Sequence, residues 1–150
     1  MSTIKLTAGT LTSLTVTGLS TLASATYVAS NAYTASTNSP VDVMVEVTVA
    51  TTNTPSGNKQ VLVFAIASFD ASNYQTGPTS GTTTTDETLL TLLGVIPLQT
   101  ASTTERKAFS VGAGYSGVVP PTFKIVIKND LGVALTTGTC ATSEIAATVV

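Results

Sequence analysis

The sequence predicts an all-β fold, an antiparallel sandwich or barrel, from three observations. Thr and Ser make up close to a third of the 150 residues, and β-branched Thr suits a pleated strand better than a helix. Several segments alternate apolar and polar residues, which is the period of a half-buried strand. Seven or eight such short segments are separated by turn signals, a spacing typical of sandwiches and barrels.

The two clearest strands lie in the first half of the chain. Residues 41–49 place five valines on one face and Asp42, Met44, Glu46 and Thr48 on the other, which predicts an antiparallel strand with one buried face. Residues 60–69 are apolar on both faces and predict a central strand. The Pro- and Gly-containing segment 54–58 between them predicts a turn, so the two strands are expected to form a hairpin.

Further strands are predicted at residues 27–29, 89–96, 108–111, 122–128 and 143–150. In the segment 122–128, Phe123, Ile125 and Ile127 are expected to face the core, with Lys124, Val126 and Lys128 on the outer face. The polar loop 70–86 is expected to face either solvent or a partner, because its composition favours neither.

The N-terminal segment has a different pattern. Its Leu and Val residues recur every two or three positions, which fits neither a regular helix nor a regular strand. We therefore predict two regions, an extended N-terminal arm over residues 1–26 and a β-sandwich domain over residues 27–150. A disordered leader is the alternative for the arm. Six apolar side chains of this segment need another surface to cover them and are the candidate assembly contacts: Leu6, Leu11, Leu14, Val16, Leu19 and Leu22.

Composition argues against several classes of function. Only 9% of the residues are charged and the net charge is -2, so there is no basic stripe for nucleic acid. The longest apolar run, residues 61–67, is too short to span a membrane, and residues 1–7 contain no apolar core of a signal peptide. The single cysteine, Cys140, cannot form a disulfide within the chain and is expected to be a buried apolar side chain.

The residues also give little support to catalysis. The chain has no histidine, which removes Ser-His-Asp and Cys-His catalysis and His-based metal sites. We therefore expect no enzymatic activity, no cofactor and no metal. Two weaker alternatives remain, a Ca²⁺ site among Asp70, Asn73, Asp86 and Glu87, and a sugar stacked on Tyr74 or Tyr115.

Several segments, in their order along the chain, resemble a family of small structural proteins of tailed bacteriophages. They are residues 27–32, 41–49, 57–65, 93–96, 108–111 and 118–129. The resemblance implies a jelly-roll-like sandwich that decorates the outside of an assembled capsid as a cement protein and stabilises it. It further implies a virion location on the capsid surface after synthesis in the host cytoplasm, the major capsid protein as partner, and a homo-oligomer, either a dimer or a trimer. A tail or fibre protein with a glycan-binding sandwich is the alternative.

Overall fold

The computed structural model describes residues 2–36 and 40–150, whose regular secondary structure is almost entirely β-strand. There are eleven: β1 (Ile4–Ala8), β2 (Thr12–Ser13), β3 (Tyr27–Ala29), β4 (Tyr33–Thr34), β5 (Asp42–Ala50), β6 (Gln60–Ser68), β7 (Ser80–Gly81), β8 (Thr91–Pro97), β9 (Thr104–Ser110), β10 (Thr122–Asp130) and β11 (Thr137–Val149). The helical elements are short: one four-residue helix, α1 (Val111–Gly114), and two 3-10 turns at Leu19–Thr21 and Glu87–Leu89.

The strands form two antiparallel sheets. The first sheet has the order β1-β11-β5-β9, with β2 also paired to β11. The second has the order β7-β3-β10-β6-β8, with β4 also paired to β10. Without the two-residue strands, this order places chain-order strands 1-8-3-6 in one sheet and 2-7-4-5 in the other, as in a jelly roll. The predicted all-β antiparallel sandwich, jelly-roll-like, is confirmed.

The core lies between the two sheets. Along β5 the four inward valines are buried and the residues between them are half-buried, as the alternation predicts. They pack against inward residues of the second sheet, including Val63, Phe123 and Ile125. β6 is an inner strand of the second sheet and is buried on both faces along most of its length, which confirms the prediction of a central strand.

The predicted hairpin between residues 41–49 and 60–69 is wrong. β5 pairs with β11 and β9 in the first sheet, whereas β6 pairs with β10 and β8 in the second. The two strands instead contribute to the same core from opposite sides. The turn residues Ser56 and Gly57 donate their backbone N–H groups to the carbonyl oxygen of Leu131, so this segment crosses between sheets. Turn-forming residues occur in both kinds of connection, and sequence therefore did not separate them.

The division into an arm and a sandwich is also corrected for the described part of residues 1–26. β1 and β2 both pair with β11 of the same chain, and Leu14, Leu19 and Leu22 are buried in the core between the sheets. Leu19 packs directly over Gly138, where any larger side chain would collide with it. The segment is therefore the first strand of the jelly roll, followed by residues whose leucine side chains are buried in the core.

A bulge explains the irregular spacing of the N-terminal apolar residues. Ala8 pairs with Ile145 and Thr12 with Thr142, so residues 9–11 oppose only residues 143–144, and one extra residue is inserted. Such an insertion reverses which residues face the core. Leu6 consequently lies on the outer face and Leu14 on the inner face, although both have even numbers.

A second apolar cluster covers the outer face of the second sheet. Its buried members are Tyr27, Phe64, Ile66, Leu90 and Val126, with Tyr74 packed against them. Val126 does point away from the main core, as predicted, but it is buried beneath the segment that follows β6. The Nζ of Lys128 lies 2.6 Å from Oε2 of Glu87 and fastens this segment to the sheet. The loop 70–86 thus leads into a cover over the chain's own sheet.

Candidate functional site

The most exposed apolar surface lies on a two-stranded ribbon at one end of the first sheet. β11 pairs with β5 only as far as Ile145, opposite Asp42. From that point to Val149 it pairs only with β1. Every residue of β1 is exposed, as are residues 146–149 of β11. The ribbon therefore projects beyond the sandwich with both of its faces uncovered by the described residues.

The two faces of the ribbon differ in polarity. Directly opposed residues in an antiparallel pair share a face. The register therefore places three entirely apolar pairs on one face: Ile4 with Val149, Leu6 with Ala147, and Ala8 with Ile145. The other face carries Lys5 with Thr148 and Thr7 with Ala146. We call the first of these the apolar ribbon face.

The apolar ribbon face continues the outer face of the first sheet. Ile145 lies opposite Asp42, whose side chain is on the side of β5 away from the core valines. The most exposed of its side chains are Ile4 at 70%, Leu6 at 60% and Val149 at 70%. Large apolar side chains gathered on one exposed face are typical of an interaction site.

A groove extends this face toward α1. It has a volume of about 360 Å³ and runs from Leu6 and Ile145 past Val41 to Ala113 and Gly117. A second groove of about 490 Å³ shares Val41 and Gly117 with it and is also lined by Val118 and Val119. Val41 was predicted to lie on the buried face of its strand, but it precedes β5 and is exposed.

Asp42 contributes a carboxylate to the groove that is fully engaged in local structure. Its Oδ2 accepts a 2.6 Å hydrogen bond from the Ser110 hydroxyl, and its Oδ1 accepts hydrogen bonds from the backbone N–H groups of Val43 and Gly112. These bonds hold the start of α1 against β5. Asp42 therefore shapes the groove wall.

The base of the ribbon is fixed by Glu144. Its Oε1 accepts a 2.7 Å hydrogen bond from the Tyr33 hydroxyl and another of 2.7 Å from the backbone N–H of Ser36. Hydrogen bonding from Ser36 and Tyr33 lowers the pKa of Glu144, so the carboxylate stays ionised. The contact ties β11 to β4 in the other sheet at the base of the projecting ribbon.

The outer face of the first sheet becomes charged away from the ribbon. Arg106 on β9 and Glu46 on β5 form an ion pair of 2.8 Å, and this contact raises the pKa of Arg106. The pair neutralises itself, so it leaves little net field. The apolar part of this outer face therefore lies at the end that carries the ribbon.

The six predicted assembly contacts divide into two groups. Leu6 and Leu11 are exposed, and Leu6 lies on the apolar ribbon face. Leu14, Leu19 and Leu22 are buried in the chain's own core, and Val16 is half-buried against it. The expectation that all six need a partner's surface is therefore corrected, because most of them are covered within the chain.

Sequence reasoning missed Ile4, Val41 and Val149 as surface residues. A period-two pattern of apolar residues at positions 4, 6 and 8 is present in the sequence and signals one face of a strand. The pairing with residues 145–149 depends on a contact across almost the whole chain, which no local pattern contains.

The side chains of the other candidate sites make local contacts in the part of the chain that the structure describes. Among the described residues, no three Asp, Glu, Cys or His side chains gather where they could hold a metal ion. Asp70 accepts hydrogen bonds from Ser68, Ser72 and Asn73, and these lower its pKa. Burial raises the pKa of Cys140 to about 12, so its thiol remains protonated. No helix of the described residues is long and apolar enough to cross a membrane.

The tyrosines considered for sugar binding are engaged with neighbouring side chains. The Lys124 ammonium lies 4.5 Å from the centre of the Tyr74 ring. The Tyr115 hydroxyl donates a 2.8 Å hydrogen bond to Oε1 of Gln75, and burial raises the pKa of Tyr115. The exposed aromatic beside them is Phe69, 63% exposed, whose ring lies edge-on to that of Tyr115 at 6.4 Å.

Comparisons with known proteins identify no family. No protein-family model and no curated protein matches the sequence. Among solved structures, the chain is similar to one described as the structure of infectious bursal disease virus Gx strain, with 8% identity and a TM-score of 0.44. The match covers 97% of this chain but 32% of the other, so this chain spans about a third of that neighbour's length. The jelly-roll assignment rests on the strand order described above.

Proposed function

We propose that this chain is a non-enzymatic structural protein of a virion, a decoration or cement protein that binds the outside of an assembled phage capsid. The observation that carries the proposal is the apolar ribbon face, which projects from a rigid jelly roll and is continuous with an apolar groove. The phage resemblance of residues 27–32, 41–49 and 57–65 supports the same role. The partner is the major capsid protein, and the location is the capsid surface.

The ribbon gives a physical mechanism for stabilising a shell. A ligand that binds the assembled state, but not the dissociated one, stabilises assembly by mass action. Burying an exposed Ile, Leu or Val side chain contributes about 1.5–3 kcal/mol. The apolar ribbon face presents Ile4, Leu6 and Val149 together, so one contact with the shell would desolvate all three. The low charge of the chain makes electrostatic steering a small contribution.

Replacing two residues of the apolar ribbon face tests this mechanism. We expect the double variant Ile4→Thr/Leu6→Thr to bind assembled shells at least ~10²-fold more weakly, because losing two apolar contacts of about 1.5–3 kcal/mol each removes about 3–6 kcal/mol of binding free energy. Thr keeps the strand propensity of the ribbon, and both sites are exposed, so the thermal midpoint should change little. Cosedimentation of purified protein with shells depleted of it measures the affinity.

The matched control alters the other face of the same ribbon. Thr7→Ser/Thr148→Ser leaves the apolar ribbon face intact and should bind like the wild type. Equal binding by Ile4→Thr/Leu6→Thr and the wild type would remove this face as the docking surface. Failure of the wild type to bind any assembled shell would remove the proposed function itself.

A tail or fibre protein that binds glycans is the second candidate. The exposed ring of Phe69 beside Tyr115 favours it, because sugars stack on exposed aromatic rings. Binding of an oligosaccharide that is lost in Phe69→Ala, with unchanged binding to shells, would support this alternative over the first.

A further inference from the structure

We propose that β1 pairs edge to edge with β1 of a second copy of this chain, so that the first sheets of two molecules join into one. The orientation of backbone groups supports this. Thr3 and Val150 exchange backbone hydrogen bonds of 3.0 and 2.9 Å, and the Gly9 N–H donates to the Glu144 carbonyl at 2.8 Å. In an antiparallel ladder, every second residue of a strand hydrogen-bonds to a given neighbour, and the residues between them direct their backbone groups to the other side. The backbone groups of Ile4, Leu6 and Ala8 therefore point away from β11.

This outer edge is open within the part of the chain that the structure describes. No backbone group of residues 2–36 or 40–150 bonds to the outward groups of Ile4, Leu6 or Ala8. Natural sheets protect such edges with proline, bulges or charged residues, lysine in particular. Across Ile4–Ala8 there is no proline and the register is regular, with Lys5 as the single charge. All five residues are exposed, so the body does not cover this edge.

The edge is complementary to itself under two-fold symmetry. An antiparallel pairing centred on Leu6 places Leu6 opposite its copy, Ile4 opposite Ala8, and Lys5 opposite Thr7. Each outward N–H and C=O of these strands then has a partner, because Leu6 with its copy, and Ile4 with Ala8, become hydrogen-bonded pairs. A pairing centred on Lys5 would set two like charges directly opposite each other, which is destabilising. Charge therefore disfavours that register, and the register centred on Leu6 is the one that pairs all five residues of β1.

The pairing leaves the apolar ribbon face available. A two-fold axis perpendicular to the joined sheet puts both apolar ribbon faces on the same side, where they form one larger surface. Five paired residues bury less than the roughly 800 Å² per partner of a standard stable complex. The dimer is therefore expected to be weak and concentration-dependent in solution. Two linked faces would bind a shell with greater avidity than one.

Two substitutions at Leu6 distinguish the role of the outer backbone edge of β1 from that of the apolar ribbon face. Leu6→Pro removes the outward N–H, which the ladder to β11 does not use, and proline is tolerated in edge strands for this reason. Leu6→Thr keeps that N–H but removes the apolar side chain. In sedimentation velocity over a series reaching the millimolar range, without any shell, we expect dimers for the wild type and Leu6→Thr, and monomers for Leu6→Pro. A monomeric wild type, or a dimeric Leu6→Pro, would overturn the proposal.

A disulfide readout does not depend on how well the proline variant folds. Opposed residues of a hydrogen-bonded pair have Cα atoms about 5.5 Å apart, within the range that a disulfide spans. We expect Leu6→Cys to form a covalent dimer on oxidation, whereas Thr7→Cys, which faces Lys5 of the other copy, does not. The native Cys140 is buried and provides no competing thiol at the edge. Equal crosslinking of the two variants, or none in either, would contradict the register. Both measurements are made without a shell, so their failure is distinct from a failure of the proposed function.

Discussion

Asn129→Ala is expected to lower the free energy of unfolding by about 3–5 kcal/mol. Asn129 is fully buried on β10. Its Nδ2 donates 2.8 Å hydrogen bonds to the carbonyl oxygens of Leu22 and Val133, and its Oδ1 accepts a 3.0 Å bond from the Leu131 N–H. Alanine leaves the Val133 carbonyl oxygen and the Leu131 N–H without a partner, whereas the Leu22 carbonyl oxygen still accepts from the Leu135 N–H. Each buried polar group so left costs about 1–3 kcal/mol.

Chemical denaturation of Asn129→Ala beside Asn53→Ala measures this effect. Asn53 is exposed in the connection after β5, so its replacement should change stability by less than about 0.5 kcal/mol. The contrast reports the contribution of the Asn129 amide, which is one of several contacts between the N-terminal segment and the turn after β10. Equal midpoints for the two variants would show that these contacts contribute no net stability.

Deleting residues 2–26 is expected to abolish folding of the sandwich. The deletion removes Leu14, Leu19 and Leu22 from the core. Truncating one buried leucine typically costs about 2–5 kcal/mol, and a whole domain is stable by only about 5–15 kcal/mol. Loss of three together therefore approaches the entire stability. Near-ultraviolet circular dichroism and a thermal melt of the truncated chain measure the outcome.

A shorter deletion provides the control. Removing residues 2–8 deletes β1, whose side chains are all exposed, and keeps β2 and the three buried leucines. This variant should fold, with a lower thermal midpoint, but lose both shell binding and edge pairing. A cooperative melt at the wild-type temperature for the deletion of residues 2–26 would restore the idea of a separate arm.

The individual strands could be predicted from the sequence because the burial of their side chains is periodic. β5 alternates as predicted, because one of its faces lies on the core. From Phe123 onward, β10 does so except at Val126, which the second apolar cluster covers. β6 is apolar on both faces because the segment ending at Leu90 covers its outer side. The pairing of strands was not accessible in this way. β5 could hydrogen-bond to β6 within one sheet or pack against it across the core. Which of the two occurs depends on the other strands, and the local turn residues do not encode it.

The N-terminal segment shows how one local irregularity changes the functional conclusion. The bulge at residues 9–11 breaks the period and conceals a strand. Without the bulge, the even spacing of Leu6 and Leu14 assigns them to one face, and both become candidate contacts. The structure separates them, since Leu14 belongs to the core and Leu6 to the apolar ribbon face. Only the register with β11 shows that Val149 belongs with Ile4.

The most direct test of the central claim is the copy number of this chain per particle. Quantitative densitometry of purified virions, calibrated against the major capsid protein, measures it. The decoration role predicts hundreds of copies in simple proportion to the shell subunits. A few to a few tens of copies would place the chain in the tail or neck, and complete absence from the particle would contradict a role in the virion.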